Sequence, residues 1–192
     1  MKIKDINIVN FKGFQNETVV FNGNLTVVIG NNTAGKTTLL KAIQVGLGAY
    51  LQSLKQLPGG APYRRNFSSL DKFMRFDEEL RDYIPNEEKP RITINAGFPI
   101  TQALCDNCPK VSFIPVHWYR EFAGNYTTHT RACAGELIDA VHQMESLRYD
   151  EKQESVYPLV LAFGAKRTSD SQAKSTSNVK ERAGYYHSQV LI

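Results

Sequence analysis

The chain has 192 residues, 42% hydrophobic and 22% charged, enough apolar material for one globular domain with a core and too much for a disordered chain. Lys and Arg outnumber Asp and Glu by 23 to 19, a mild basicity that permits a nucleic-acid partner without demanding one. The three cysteines do not make a disulfide framework, no apolar run approaches the roughly 18 residues of a membrane span, and the start is not a signal-peptide core. A reducing, cytoplasmic setting with no membrane partner is therefore expected.

The first segment, KIKDINIVNF, alternates Ile3, Ile6, Ile8 and Phe11 with polar residues and slips phase near Lys4–Asp5, so it predicts a strand with one buried face. FKGFQNE turns on Gly13, ETVVF predicts a second strand, and Asn22–Asn24 a tight turn. LTVVIG is almost continuously apolar and predicts a central strand. From Lys36 the period becomes helical, with Leu39, Leu40, Ile43, Leu47, Tyr50, Leu51 and Leu54 on one stripe, ending before LPGGAPY. A helix is expected from Ser68 or Ser69 to Tyr83, with Asp77 and Glu78 on its surface, then a strand over Arg91–Phe98. Further on come strands around Val111–Ile114 and His117–Phe122, and a helix with a Leu137, Ile138, Val141, Met144, Leu147 stripe. A buried strand from Leu159 to Phe163 and a Ser/Thr/Lys-rich loop follow.

Between the central strand and the first helix lies GNNTAGKTT, Gly30 to Thr38, which fits G-x-x-x-x-G-K-[ST]. A loop wrapped round phosphates must turn sharply and bring backbone N–H groups to their oxygens, which glycine permits. Gly30, Asn31, Asn32, Thr33, Ala34, Gly35, Lys36, Thr37 and Thr38 are the candidate nucleotide cradle. Lys36 is the catalytic candidate, its charge between the β- and γ-phosphates, and the Thr37 hydroxyl is the candidate Mg²⁺ ligand. The following helix points its partly positive N-terminus at the same place.

Two N-terminal strands with NFKGF between them, followed by LTVVIGNNTAGKTTLLKAI, resemble the start of RecF/SMC-like ABC-type ATPases. YPLVLAFGAKR followed by ERAGYY resembles the branch that includes the ATPases of Septu and some retron anti-phage systems. The resemblance implies an α/β P-loop fold of ABC-ATPase type, a mixed sheet with an N-terminal antiparallel hairpin. It implies ATP and Mg²⁺ held between two heads of a homodimer or higher oligomer, coupled to DNA or to a nuclease or other effector. The family pattern has glycine where this chain has Thr33, so φ below zero or local strain is expected there.

The family's other catalytic parts are not found in the 192 residues. LPGG (57–60) lies too close to Lys36 to be a signature loop, RFDEEL lacks the apolar strand of a Walker B, and Gln172 lies beyond the position of a Q-loop glutamine. The expectation is the N-terminal part of a single head with its C-terminal lobe missing: strands over 1–29, phosphate loop and helix over 30–57, a variable insertion over 58–156, and a strand with a basic loop over 157–192. Alone it should bind nucleotide weakly and turn it over poorly. The rivals are a small-molecule or nucleoside kinase, and a scaffold that uses nucleotide only as structure.

Cys105 and Cys108 have zinc-ligand spacing but supply two of four ligands; His117, His129 and Cys133 have no fixed relation to them, so zinc is not expected. HWYREF is read as a half-buried strand in preference to a DNA contact, and the loop from Lys166 to Arg182, including Arg167, as a candidate phosphate-backbone contact. His142 and Glu136 are given no catalytic role.

Overall fold

A computed structural model describes residues 1–55, 64–102, 110–149, 157–162 and 190–191. The chain divides into a unit spanning Met1–Pro158 and a second spanning Leu159–Ile192.

The first unit is built on a four-stranded antiparallel sheet. β1 (Lys2–Phe11) and β2 (Phe14–Val20) form the N-terminal hairpin, and β5 (Arg91–Gln102) and β6 (Lys110–Glu121) complete the order β2-β1-β5-β6. A bulge between Ile3 and Asp5 produces the phase slip legible in the sequence. Alternation then sorts the two faces: Ile6, Ile8, Ile92, Ile94, Ala96, Phe98, Val116 and Trp118 are buried on one. The other carries polar ladders, with Asn7 donating to Asn16 and Thr18, and Asn95 to Asp5.

β6 is one strand where two are expected. Pro115 reads as a break, yet it stands on the edge strand of the sheet, at a position whose nitrogen faces away from β5. The same outward row is capped elsewhere: the His117 N–H donates to Glu136 at 2.7 Å and the Glu121 N–H to Thr128 at 2.9 Å.

Helix α1 (Lys36–Ser53) and helix α2 (Arg131–Tyr149) cover the apolar face. α1 comes very close because two of its residues have no side chain. A Cβ on Gly46 would stand 2.3 Å from Ile94 Cδ1, and one on Gly48 2.3 Å from Arg120 Nη1. Two β6 side chains reach up to the helix backbone: Trp118 Nε1 donates to the Gly46 carbonyl at 2.9 Å, and Arg120 to the Val45 carbonyl at 2.7 Å. α2 buries Leu137, Ile138, Val141 and Met144 as its stripe predicts, and kinks at Ala134 (φ −143°).

The helix expected over residues 69–83 is not formed. Ser68 and Asp71 make a reciprocal cap that opens only one 3-10 turn, Ser69–Asp71. A hairpin follows, β3 (Met74–Asp77) and β4 (Asp82–Pro85), with Phe76 directly opposite Tyr83 and their rings 5.4 Å apart. Asp77 Oδ1 accepts from the N–H groups of Glu79 and Leu80, so Asp77 builds the turn and Glu78 lies within it, neither on a helix surface.

LTVVIG also departs from expectation. Among the described residues, 25–30 form no strand and pair with none, and Leu25, Val27 and Ile29 are 74%, 69% and 87% exposed. The sheet that does form has β2 and β6 at its edges and has already buried its apolar face on the helices, so it offers this run no central place.

In the second unit β7 (Val160–Leu161) pairs in parallel with β8 (Val190–Leu191). The expected buried strand from Leu159 is short, and Leu159 and Leu161 are exposed; Phe163 lies outside the described residues.

Candidate nucleotide-binding site

Gly30 to Gly35 run exposed or half-exposed into the first turn of α1. Gly35 is the residue before the helix, with φ 84° and ψ 2°, a left-handed conformation that glycine adopts without penalty. No side chain caps this terminus and its first turn holds no acid, so the leading N–H groups and the positive end of the helix dipole are free to meet an anion. The Lys36 ammonium folds over the loop and donates to the carbonyls of Gly30 at 2.7 Å and Asn31 at 2.5 Å. Thr37 is exposed on the first turn and Thr38 half-buried beside it.

Thr33 has φ 72°, so of the two alternatives expected there the structure has the strained one. Its hydroxyl donates to the Asn32 carbonyl one residue back. The loop therefore closes on itself through Ala34 N–H to Asn31 O, Thr33 Oγ1 to Asn32 O, and Lys36.

Sequence reasoning missed Phe14. A Cβ built on Gly35 would stand 2.8 Å from Phe14 Cζ, so the ring at the start of β2 is seated against the last residue of the loop. The only signal in the sequence is an aromatic immediately after the Lys12–Gly13 turn.

The remaining candidates do not converge on this site. Trp118 and Arg120 are fully buried, which fits the half-buried strand reading of HWYREF and removes both from any surface contact. Arg120 donates to the Val45 and Arg65 carbonyls and to the Asn66 side chain; burial first, and then Arg64, lower its pKa to about 10. His129 lies 3.5 Å from Ser53 Oγ, and burial with the charges of Arg120 and Arg64 pushes its pKa down to about 4. Cys133 is buried and paired with Thr130. Glu136 acts as the edge cap of β6, and no group of three or more metal-ligating side chains forms among the described residues. Cys105, Cys108, residues 57–60, Gln172 and the basic stretch from Lys166 to Arg182 lie outside the described residues.

The chain is similar to known proteins. The AAA ATPase domain family matches residues 1–183. The Retron Ec83 probable ATPase of Escherichia coli is 43% identical over 49 residues, 24% of this chain and 9% of that protein. The DNA double-strand break repair Rad50 ATPase of Sulfolobus acidocaldarius is 43% identical over 47 residues, 24% of this chain and 5% of that protein. The chain thus matches less than a tenth of the length of either curated relative. A solved chain from work on ATP-driven dimerisation and DNA-stimulated activation of SMC ATPases has 20% identity and a TM-score of 0.41, with 74% of this chain and 78% of that one covered. With a family match that takes in nearly all of its length, the chain belongs to the AAA ATPase domain family.

Proposed function

We propose that residues 30–38 bind MgATP as the N-terminal part of one ATPase head, and that hydrolysis requires a second set of groups outside residues 1–192. The uncapped N-terminus of α1 behind the left-handed Gly35 carries this reading, because it presents N–H groups and positive potential where a phosphate would lie. In this reading Lys36 leaves the Gly30 and Asn31 carbonyls for the β- and γ-phosphate oxygens, and Thr37 ligates Mg²⁺. Bound Mg²⁺ would neutralise charge on the phosphates; orientation comes from the backbone of residues 30–35.

ATP would hold two heads together, and the dimer would act on DNA or on an effector such as a nuclease, in DNA repair or anti-phage defence within the cytoplasm. The similarity to a retron ATPase and to a DNA double-strand break repair ATPase supports this step. A kinase that phosphorylates a small molecule is the less favoured reading, since a strand hairpin precedes the loop.

Titration of the chain with a fluorescent ATP analogue and Mg²⁺ tests the proposal. Wild type should bind, and Lys36→Ala should weaken binding by about a hundredfold, the loss of two charge-assisted contacts. Equal affinity of the two proteins would refute the site. In the longer protein, Lys36→Ala should abolish turnover and leave assembly largely intact; loss of assembly with no turnover in wild type would favour a scaffold.

A further inference from the structure

We propose that Phe14 is a positioning residue for nucleotide binding: its ring holds Gly35 in the left-handed conformation from which α1 offers its first N–H groups. The inference rests on the nucleotide reading of residues 30–38 and adds to it a residue outside the loop.

Gly35 is the pivot at which the exposed loop becomes helix. At φ 84° it has conformational alternatives that a residue with a side chain lacks, and no side-chain cap fixes it. The chain supplies the missing constraint from β2: the Phe14 ring fills the space where a Gly35 side chain would be, with Cζ at 2.8 Å and Cε1 at 3.1 Å from that Cβ position. The ring occludes the Cβ side of the pivot, and no side chain caps the helix terminus.

A ring can position a loop only if it is itself held, and Phe14 is. It pairs across the hairpin with Phe11, which is fully buried and packs edge-on to Phe67 at 5.8 Å. Their end of the hairpin is held at two left-handed residues, Asn10 (φ 51°) before Phe11 and Lys12 (φ 53°) after it. The Lys12 N–H donates to the Asp71 carbonyl at 2.8 Å, and its ammonium pairs with the Asp71 carboxylate at 2.7 Å. Asn10 is buried, donates to Glu88 at 2.7 Å and accepts from Asn86 at 2.7 Å, while its carbonyl accepts from the Phe73 N–H. The αL turn, a conformation rarely taken by residues with side chains, is thus over-determined by its neighbours. That rigidity reaches Gly35 through one aromatic contact.

The experiment measures affinity for a fluorescent ATP analogue with Mg²⁺, and melting without nucleotide, for wild type, Phe14→Ala, Phe14→Met, Val19→Ala, Gly35→Ala, the Gly35→Ala/Phe14→Ala double variant and Lys36→Ala. Phe14→Ala should weaken binding at least about tenfold, and Phe14→Met, whose length restores reach, should return to within about threefold of wild type. Val19→Ala, a half-buried truncation on the same strand, should lower the melting temperature and leave affinity unchanged. Because residues in contact are coupled, adding Phe14→Ala to Gly35→Ala should cost less affinity than Phe14→Ala costs alone. If Phe14→Ala loses its native melt, Phe14→Leu, which is shorter than the ring, is read in its place and should lie between Met and wild-type-minus-tenfold. Phe14→Ala binding as wild type does overturns the role of Phe14 alone, as does a Val19→Ala loss of affinity in proportion to melting. Wild type binding no better than Lys36→Ala overturns the nucleotide reading and the role of Phe14 with it.

Discussion

Arg120 is buried without a carboxylate within ion-pair distance among the described residues, an arrangement that persists because its guanidinium fork ties β6 to two other segments, α1 at Val45 and the chain at Arg65–Asn66. Arg120→Lys keeps the buried charge and loses the fork. It should destabilise the chain by about 2 kcal/mol or more, checked by urea unfolding. His129 makes stability depend on pH. Its folded pKa of about 4 lies below the usual 6.5, so the unfolded chain takes up a proton first and stability falls as pH drops from 6.5 towards 4. Glu145, raised by burial, acts with the opposite sign above 4.5, and Glu121 and Asp71, both lowered, act with the same sign further down. His129→Gln should therefore flatten the melting temperature between pH 6.5 and 4.5 relative to wild type. The position of Gly35 and Lys36 at the entry to α1 was legible from spacing alone. Arg120 was not, because an arginine in an aromatic strand looks the same whether it faces water or a helix carbonyl.

At the scale of elements, periodicity located α1, α2, β1 and β5 because each buries one stripe or one face against a partner. It failed over residues 69–83, where a capping box opens a turn that the cross-strand Phe76–Tyr83 pair and the Asp77 turn then end. Met74, Phe76, Tyr83 and Pro85 share the exposed face of this two-stranded hairpin, a unit with few buried contacts of its own. Amide exchange should accordingly be fast at Arg75 and Ile84 and slow at Ile92 and Ile94 in the main sheet; equal protection would show that the hairpin is held by more than its own ladder. In α1, Gly→Ala ordinarily stabilises a helix interior by about 1 kcal/mol. At Gly46 the sign should reverse, with a net loss of about 1–3 kcal/mol by urea unfolding, because the new methyl has to displace Ile94 and separate helix from sheet.

Across the whole molecule, hydrophobic patterning identified the apolar run 25–29 and misjudged its surroundings. Composition states that a segment wants burial; it does not state what will bury it. The run stands with Leu25, Val27, Val28 and Ile29 at 74%, 69%, 40% and 87% exposure directly before residues 30–38. A patch of this kind is a contact surface or an aggregation liability. The chain should enhance the fluorescence of the apolar dye ANS, and a Leu25→Thr/Val27→Thr variant should reduce that signal without lowering the melting temperature. A Tm loss with unchanged dye binding would mean that the run is covered. The parallel pairing of β7 with β8 was foreshadowed only by two short apolar runs, since two-residue ladders carry too little pattern to fix a register.

The Lys36 ammonium is already engaged with two carbonyls of its own loop. If residues 30–38 bind phosphate as proposed, a phosphate oxygen would gain this ammonium by exchange, one set of charge-assisted contacts for another. In that case the loop would act as a latch held shut by its own backbone. Such a latch would favour ligands that present several adjacent oxygens over monovalent anions.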